Sequence, residues 1–340
     1  MRSFVETMKS DQIRWRRAKL TNQVKGRQNR REYDHILPWE AWELNLWPGM
    51  TEAAGIPLPL YLQQEHIRKH TGSHNLLSSR VLAANLYFPF RGPEGRHLLA
   101  GFLHEKVAKE IRDLFQIELE YESPDPAMAP LALLGETDGG RGAGQTSPDV
   151  AFEVDTLHGP GVILVESKFT EHNFYRCSGR KKDPEGRPPN PDTSRCMDAH
   201  AVASDPDRQC HLPTWGRLYW KHLAPVSDLP SFRSLKCCPA AFGAYQLFRQ
   251  QALAEAFAAS GKYALVVSAV AYDARNVDLM TSTARTTGIQ DIRTDWGGLF
   301  RGRARFAVFT HQDWVKWVSD HSPAPWHDWL DYVRGRYAFG

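Results

Sequence analysis

Several things are scarce in this 340-residue sequence. Long hydrophobic runs are missing: the longest, near Tyr263 to Tyr272, is about half the length of a membrane span, which argues against a membrane protein. The first residues, Met1-Arg2-Ser3-Phe4-Val5-Glu6, lack the apolar stretch of a secretory signal. A soluble, cytoplasmic chain with reduced thiols is therefore expected. No Cys-x-x-Cys pair occurs, and net charge is low at +3. With 42% hydrophobic and 24% charged residues, the chain is neither disordered nor a coiled coil. Its length fits two units or one decorated core.

The small net charge hides an asymmetry. Residues 1–31 carry ten Lys/Arg against Glu6 and Asp11, a balance of +8 that leaves the rest at −5. A basic arm beside a mildly acidic body points to an anionic partner, nucleic acid before membrane. All five cysteines (Cys177, Cys196, Cys210, Cys237, Cys238) fall within residues 177–238. In a reducing compartment, such clustering favours a metal site over disulfides.

Periodicity divides the chain. Residues 1–31 read as a basic helix, and 32–97 as an aromatic-rich region with a short helix ending before Pro89. Apolar residues Leu99, Phe102, Leu103, Val107, Ile111 and Leu114 predict an amphipathic helix over 98–115. Residues 116–122 read as a strand and 123–147 as a loop. Alternation in Val150-Ala151-Phe152-Glu153-Val154 and a turn at His158-Gly159-Pro160-Gly161 lead into the apolar strand Val162-Ile163-Leu164-Val165, a hairpin. Residues 177–238 read as an insertion. A helix at 240–259, a strand at 263–270, a strand at 306–309 and Trp-rich helices follow. The expected units are 1–31, 32–97, a core over 98–272 with its insertion, and a C-terminal region over 273–340.

The chemistry concentrates at Ser147-Pro148-Asp149-Val150 and Val165-Glu166-Ser167-Lys168-Phe169. Glu166 and Lys168 sit two apart on one strand and share a face. A hairpin brings Asp149, at the start of its first strand, beside them. Two carboxylates and an ammonium group at one sheet edge suit phosphodiester hydrolysis. Carboxylates hold a hard ion such as Mg²⁺ or Mn²⁺, and the lysine orients water or stabilises the developing charge.

This pattern resembles the PD-(D/E)XK nuclease superfamily, the restriction-endonuclease-like fold, over roughly residues 98–272 without the insertion. The resemblance implies an α/β core with a central mixed β-sheet flanked by helices, a helical N-terminal region and a cysteine-containing insertion. It implies a divalent metal on Asp149, Glu166 and the Ser167 backbone carbonyl, and an acidic residue from the preceding helix, at Glu105. A glutamine from the following helix corresponds to Gln246. The branch similar to RecB has a tyrosine four residues after that glutamine, where this chain has Gln250. Some members carry an iron–sulfur cluster on four cysteines. Here Cys177, Cys196, Cys210 and either Cys237 or Cys238 would serve, with zinc, aided by His200 or His211, as the rival.

The leading expectation is a Mg²⁺-dependent deoxyribonuclease, an endonuclease of the restriction or phage-defence kind, with a homodimer as one arrangement. The alternatives are a single-strand or exonuclease of repair or CRISPR adaptation with an iron–sulfur cluster, a non-catalytic nucleic-acid-binding protein of the same fold, and a zinc-stabilised scaffold.

Overall fold

The computed structural model describes residues 3–68, 71–137, 139–180 and 186–339. A small ribbon near the N-terminus pairs β1 (Gly26–Gln28) with β2 (Arg31–Tyr33). The central sheet holds β3 (Ile111–Leu119), β4 (Val150–Thr156), β5 (Gly159–Lys168), β6 (Leu265–Tyr272) and β7 (Arg305–Thr310), in that spatial order. β3, β4 and β5 form an antiparallel meander, while β6 and β7 run parallel to β5. β5 is covered on both faces, which is why its sequence is a nearly unbroken apolar run.

Two cores flank the sheet. One face receives Phe152, Val154, Ile163 and Val165 against the helices Ser79–Tyr87, Pro93–Lys106, His311–His321 and His327–Tyr337. The other receives Ala151, Val162 and Leu164 against the helix Tyr245–Ala259 and the insertion. The insertion is built of short helices, and Val202, Leu212, Trp220 and Phe232 bury themselves in this second core.

The amphipathic helix ends earlier than its periodicity predicts. It spans Pro93–Lys106, and Ile111 and Leu114 belong to β3. The pairing of β3 with β4 shifts between Ile111 and Asp113 and again between Leu114 and Gln116. Each irregularity adds a residue, so the inward side chains Ile111, Leu114 and Ile117 come at spacing three and imitate a helix. The hairpin turn is also tighter than expected. Leu157 and His158 alone make it, and Gly159 already pairs with Thr156.

The basic N-terminal segment is helical only over Phe4–Lys19, begun by a Ser3–Glu6 capping box. Met8, Gln12, Trp15 and Arg16 are buried, and the Gln12 amide donates to the Arg336 carbonyl at 2.8 Å. The C-terminal helices close the first core with aromatics. Phe90 stacks on Trp326 at 3.9 Å between ring centroids and meets Trp329 edge-on at 4.9 Å. Trp329 is fully buried, and its indole N–H donates to the Asn85 carbonyl at 2.8 Å. Trp329→Ala is expected to destabilise the protein by about 3–5 kcal/mol, read as a lower urea midpoint.

Candidate active site

The site follows from strand register. Leu119 pairs with Val150, and Val150 with Val165. One residue further toward the same edge stand Glu120, Asp149 and Glu166, a row of three carboxyl side chains on three neighbouring strand ends. The Glu120 backbone N–H donates to the Asp149 carbonyl at 3.0 Å, which extends the ladder by that one step. Neighbouring strands lie roughly 4.8 Å apart, so the row is compact. Glu120 adopts a left-handed backbone (φ 48°), unusual for a residue with a long side chain.

Other elements converge on the row. Lys168 lies two residues beyond Glu166 on β5, and its Nζ donates to Glu166 Oε1 at 2.7 Å. Gln246, in the first turn of the Tyr245–Ala259 helix, donates to the same oxygen at 2.8 Å. The Ser167 backbone N–H donates to Asp149 Oδ2 at 2.8 Å. These bonds leave Glu166 Oε2 and Asp149 Oδ1 without a hydrogen-bond donor among the described residues. Arg80, from the Ser79–Tyr87 helix, pairs with Glu120 at 2.7 Å. Glu171 accepts from the Ser79 hydroxyl at 2.5 Å and from the Phe169 N–H.

These groups line a cavity of about 470 Å³ that also meets Gln28, Ser147 and Tyr175. Its lining holds four carboxyl groups (Glu120, Asp149, Glu166, Glu171) and two cations (Arg80, Lys168), so with every group ionised two negative charges would be in excess. The titration behaviour agrees. Burial, then the negative Glu166 and Glu120, push the Asp149 carboxyl well above the usual range. Burial pushes Glu120 up to about 7 against the opposing pull of Arg80. Burial alone would lower the Lys168 ammonium, but Glu166, Glu171 and Asp149 outweigh it and keep it charged.

Most of the expected residues meet here, with one correction. Glu105 is exposed and pairs with Lys109 on its own helix. The C-terminal end of the Pro93–Lys106 helix lies beside the start of β3, where His104 contacts the Ile111 carbonyl at 3.0 Å, at the opposite end of that strand from the cavity. Glu120 stands in the row instead, beside Asp149. The sequence places a strand over 116–122, but the irregular pairing of β3 hides which of its residues meets the row. Glu153 shares the strand face of Asp149 but accepts from the Tyr121 hydroxyl at 3.1 Å instead of lining the cavity.

The insertion gathers four of its cysteines. The Cys238 N–H donates to the Cys196 carbonyl at 2.8 Å, and the Cys177 N–H to the Ala240 carbonyl at 2.9 Å. Arg195 reaches the Arg208 carbonyl at 2.6 Å, which draws the segments of Cys196 and Cys210 together. Burial, then the nearby Cys210 and Cys238, push the Cys177 thiol well up. Cys237 turns the other way and donates its thiol hydrogen to the Thr286 carbonyl at 3.2 Å. His200 and His211 are engaged with Arg233 and the Pro188 carbonyl. All five cysteines are free thiols. Among the described residues, no three His, Cys, Asp or Glu side chains form a ready-made single-ion site.

The mixed sheet, its helical flanks and the acidic edge define a restriction-endonuclease-like α/β protein. The chain belongs to the family described as "Restriction Endonuclease associating with ARP", whose model matches residues 8–338. No curated protein and no solved structure matches it. No helix among the described residues is long and apolar enough to cross a membrane.

A carboxyl group that binds its proton more tightly when folded loses stability as pH rises through its window, here from 4.5 to about 7 for Glu120. In EDTA, the stability of Glu120→Gln relative to the unsubstituted protein should therefore grow by on the order of 2 kcal/mol between pH 4.5 and 8. Urea titrations at the two pH values measure it, and a pH-independent difference would contradict it.

Proposed function

We propose that the protein is a metal-dependent nuclease that hydrolyses phosphodiester bonds in DNA, as an endonuclease of the restriction type. The observation that carries this reading is the row Glu120–Asp149–Glu166, with Lys168 bonded to Glu166 in a cavity short of positive charge. A phosphodiester anion would be repelled from that cavity unless a cation sat there first.

The donor set fits a hard cation. The uncommitted oxygens of Asp149 and Glu166, with the Ser167 backbone carbonyl, would hold Mg²⁺ or Mn²⁺, and Glu120 stands next in the row. When bound, such an ion supplies Lewis acidity at the phosphoryl oxygen and lowers the pKa of its water. The rest is the chain's own work. Lys168 stays protonated beside Glu166 and offers its N–H donors to the attacking water or to the oxygens that gain charge in the transition state. Gln246 and Lys168 together fix Glu166 Oε1, which aims the other oxygen into the cavity. Arg80 supplies a second cation for the phosphate.

Cys177, Cys196, Cys210 and Cys238 would hold a second centre in the same protein, an iron–sulfur cluster; zinc, the rival, would require these side chains to draw closer around one ion. The convergence of four chain segments supports this set, and the hydrogen bond of the Cys237 thiol to the Thr286 carbonyl favours Cys238 over Cys237 as its fourth member. The family's description names an association with ARP, and we carry that over as a protein partner.

Asp149→Asn and Glu166→Gln should each lower Mg²⁺- or Mn²⁺-dependent cleavage of plasmid DNA by at least about a hundredfold while the far-ultraviolet dichroism stays unchanged. Glu105→Gln should cut like the unsubstituted protein. Full cutting by both carboxamide variants would end the proposal. For the second centre, iron and zinc analysis of anaerobically purified protein is expected to find metal that Cys238→Ser loses and Cys237→Ser keeps. Equal retention in both variants would refute the assignment.

A further inference from the structure

The basic N-terminal segment shrinks when its partners are counted. Arg16 is buried, and its guanidinium donates to the Asp34 and Ile36 carbonyls at 2.8 and 2.9 Å and to the carbonyls of Asn22 and Val24. Arg14 pairs with Asp11, Arg17 and Lys25 with Asp34, and Arg27 with Glu32. Lys19, Arg30 and Arg31 remain exposed and outside any ion pair among the described residues, while Lys9 lies over the Tyr33 ring. Of these, Arg30 and Arg31 sit together at the tip of the β1–β2 ribbon.

The ribbon is anchored at its base and free at its tip. Arg16 holds the chain on either side of it. The Gly26 N–H donates to the Ile36 carbonyl at 2.8 Å, and a Cβ at Gly26 would stand 1.9 Å from the Leu37 carbonyl oxygen, so only glycine allows the approach. His74 contacts the Arg27 carbonyl at 3.3 Å. Beyond this base, Gln28, Asn29, Arg30 and Arg31 are all exposed, and Gln28 lines the cavity of Asp149 and Glu166.

The turn itself is telling. Asn29 and Arg30 both adopt left-handed backbones (φ 51° and 63°), the arrangement of a type I′ hairpin turn. Asn is common at its first position, but glycine is preferred at the second. Arginine there costs roughly 1–2 kcal/mol against glycine. Strain retained at an exposed tip beside a reactive cavity calls for a role that glycine would not fill.

We propose that the β1–β2 ribbon enters a groove of duplex DNA and that Asn29 and Arg30 contact base edges while Arg31 contacts a phosphate. The inference takes its substrate from the nuclease reading above and adds the form in which the substrate is bound. A two-stranded ribbon, with strands roughly 4.8 Å apart, fits a major groove about 12 Å wide. Asparagine pairs with adenine and arginine with guanine through two hydrogen bonds each, so this tip carries donors suited to reading sequence. Because Gln28 reaches the cavity, the contacted base pairs lie next to the scissile phosphate.

The test measures binding, not cutting, so that it stands apart from catalysis. Fluorescence anisotropy in EDTA compares a labelled duplex pool of randomised sequence with the matching single strands. Arg30→Gly places the favoured Asn-Gly pair in the turn, so its thermal midpoint should equal or exceed that of the unsubstituted protein. Its duplex affinity should fall about tenfold and the sequences enriched from the pool should lose their preference. Arg31→Ala should lower the salt dependence of duplex binding by about one phosphate contact. Single-strand binding should be unchanged in both. The proposal is overturned if Arg30→Gly binds duplex as tightly and selectively as the unsubstituted protein, if single-strand binding falls equally, or if the unsubstituted protein binds no duplex. Ribbon-dependent duplex binding without cleavage in Mg²⁺ or Mn²⁺ would instead refute the nuclease reading and leave the ribbon's role standing.

Discussion

Like-charge repulsion in a confined space is the constraint around which this molecule is arranged. Three carboxyl groups end three adjacent strands in one row, and a fourth, Glu171, lines the same cavity. At roughly 5 Å and an effective dielectric near 20, each neighbouring pair of ionised groups would repel by roughly 3 kcal/mol. The fold tolerates this because every acid is held: Glu120 by Arg80, Asp149 by the Ser167 N–H, Glu166 by Lys168 and Gln246, and Glu171 by Ser79 and the Phe169 N–H. These bonds fix position, while burial and mutual repulsion raise the Asp149 and Glu120 carboxyls so that they keep their protons. Those protons are what an incoming divalent cation would displace.

The second core serves the same geometry. The Gln246 N–H donates to the Phe174 carbonyl, the Tyr245 N–H to the Tyr175 carbonyl, and the Phe174 N–H to the Gly243 carbonyl. The segment leaving β5 is thus laced to the start of the helix that carries Gln246, and Cys177 follows directly. Buried Glu136 ties in the loop before Asp149 by accepting from Thr146, Tyr219 and Arg249. The insertion and the acidic edge form one packed unit. A centre on the gathered cysteines would stiffen the residues that hold Gln246.

The hairpin and its three charged residues were legible in the sequence because their signals are local. Strand alternation placed Asp149, and a Glu-Ser-Lys ending an apolar run placed Glu166 and Lys168. Gln246 followed from its place on the next helix. Glu120 was hidden because irregular pairing in β3 gives its buried residues a helical spacing, so the third strand's register was unreadable. Glu105 occupies a suitable sequence position, but its helix ends beside the start of β3, at the opposite end of that strand from the cavity. Arg80 comes from a helix remote in sequence, and nothing local marks it. The ribbon escaped notice because Asn29-Arg30 lacks the glycine that normally signals a type I′ turn.

The central claim is that the paired carboxylates of neighbouring strands are built to hold a hard divalent ion. The most direct measurement is anomalous diffraction from a crystal of the unsubstituted protein soaked in Mn²⁺. The account predicts a peak about 2.0–2.3 Å from oxygens of both Asp149 and Glu166, with Lys168 still beside Glu166. A crystal saturated with Mn²⁺ that shows no peak between those two side chains, or shows Lys168 filling the space between them, would contradict it.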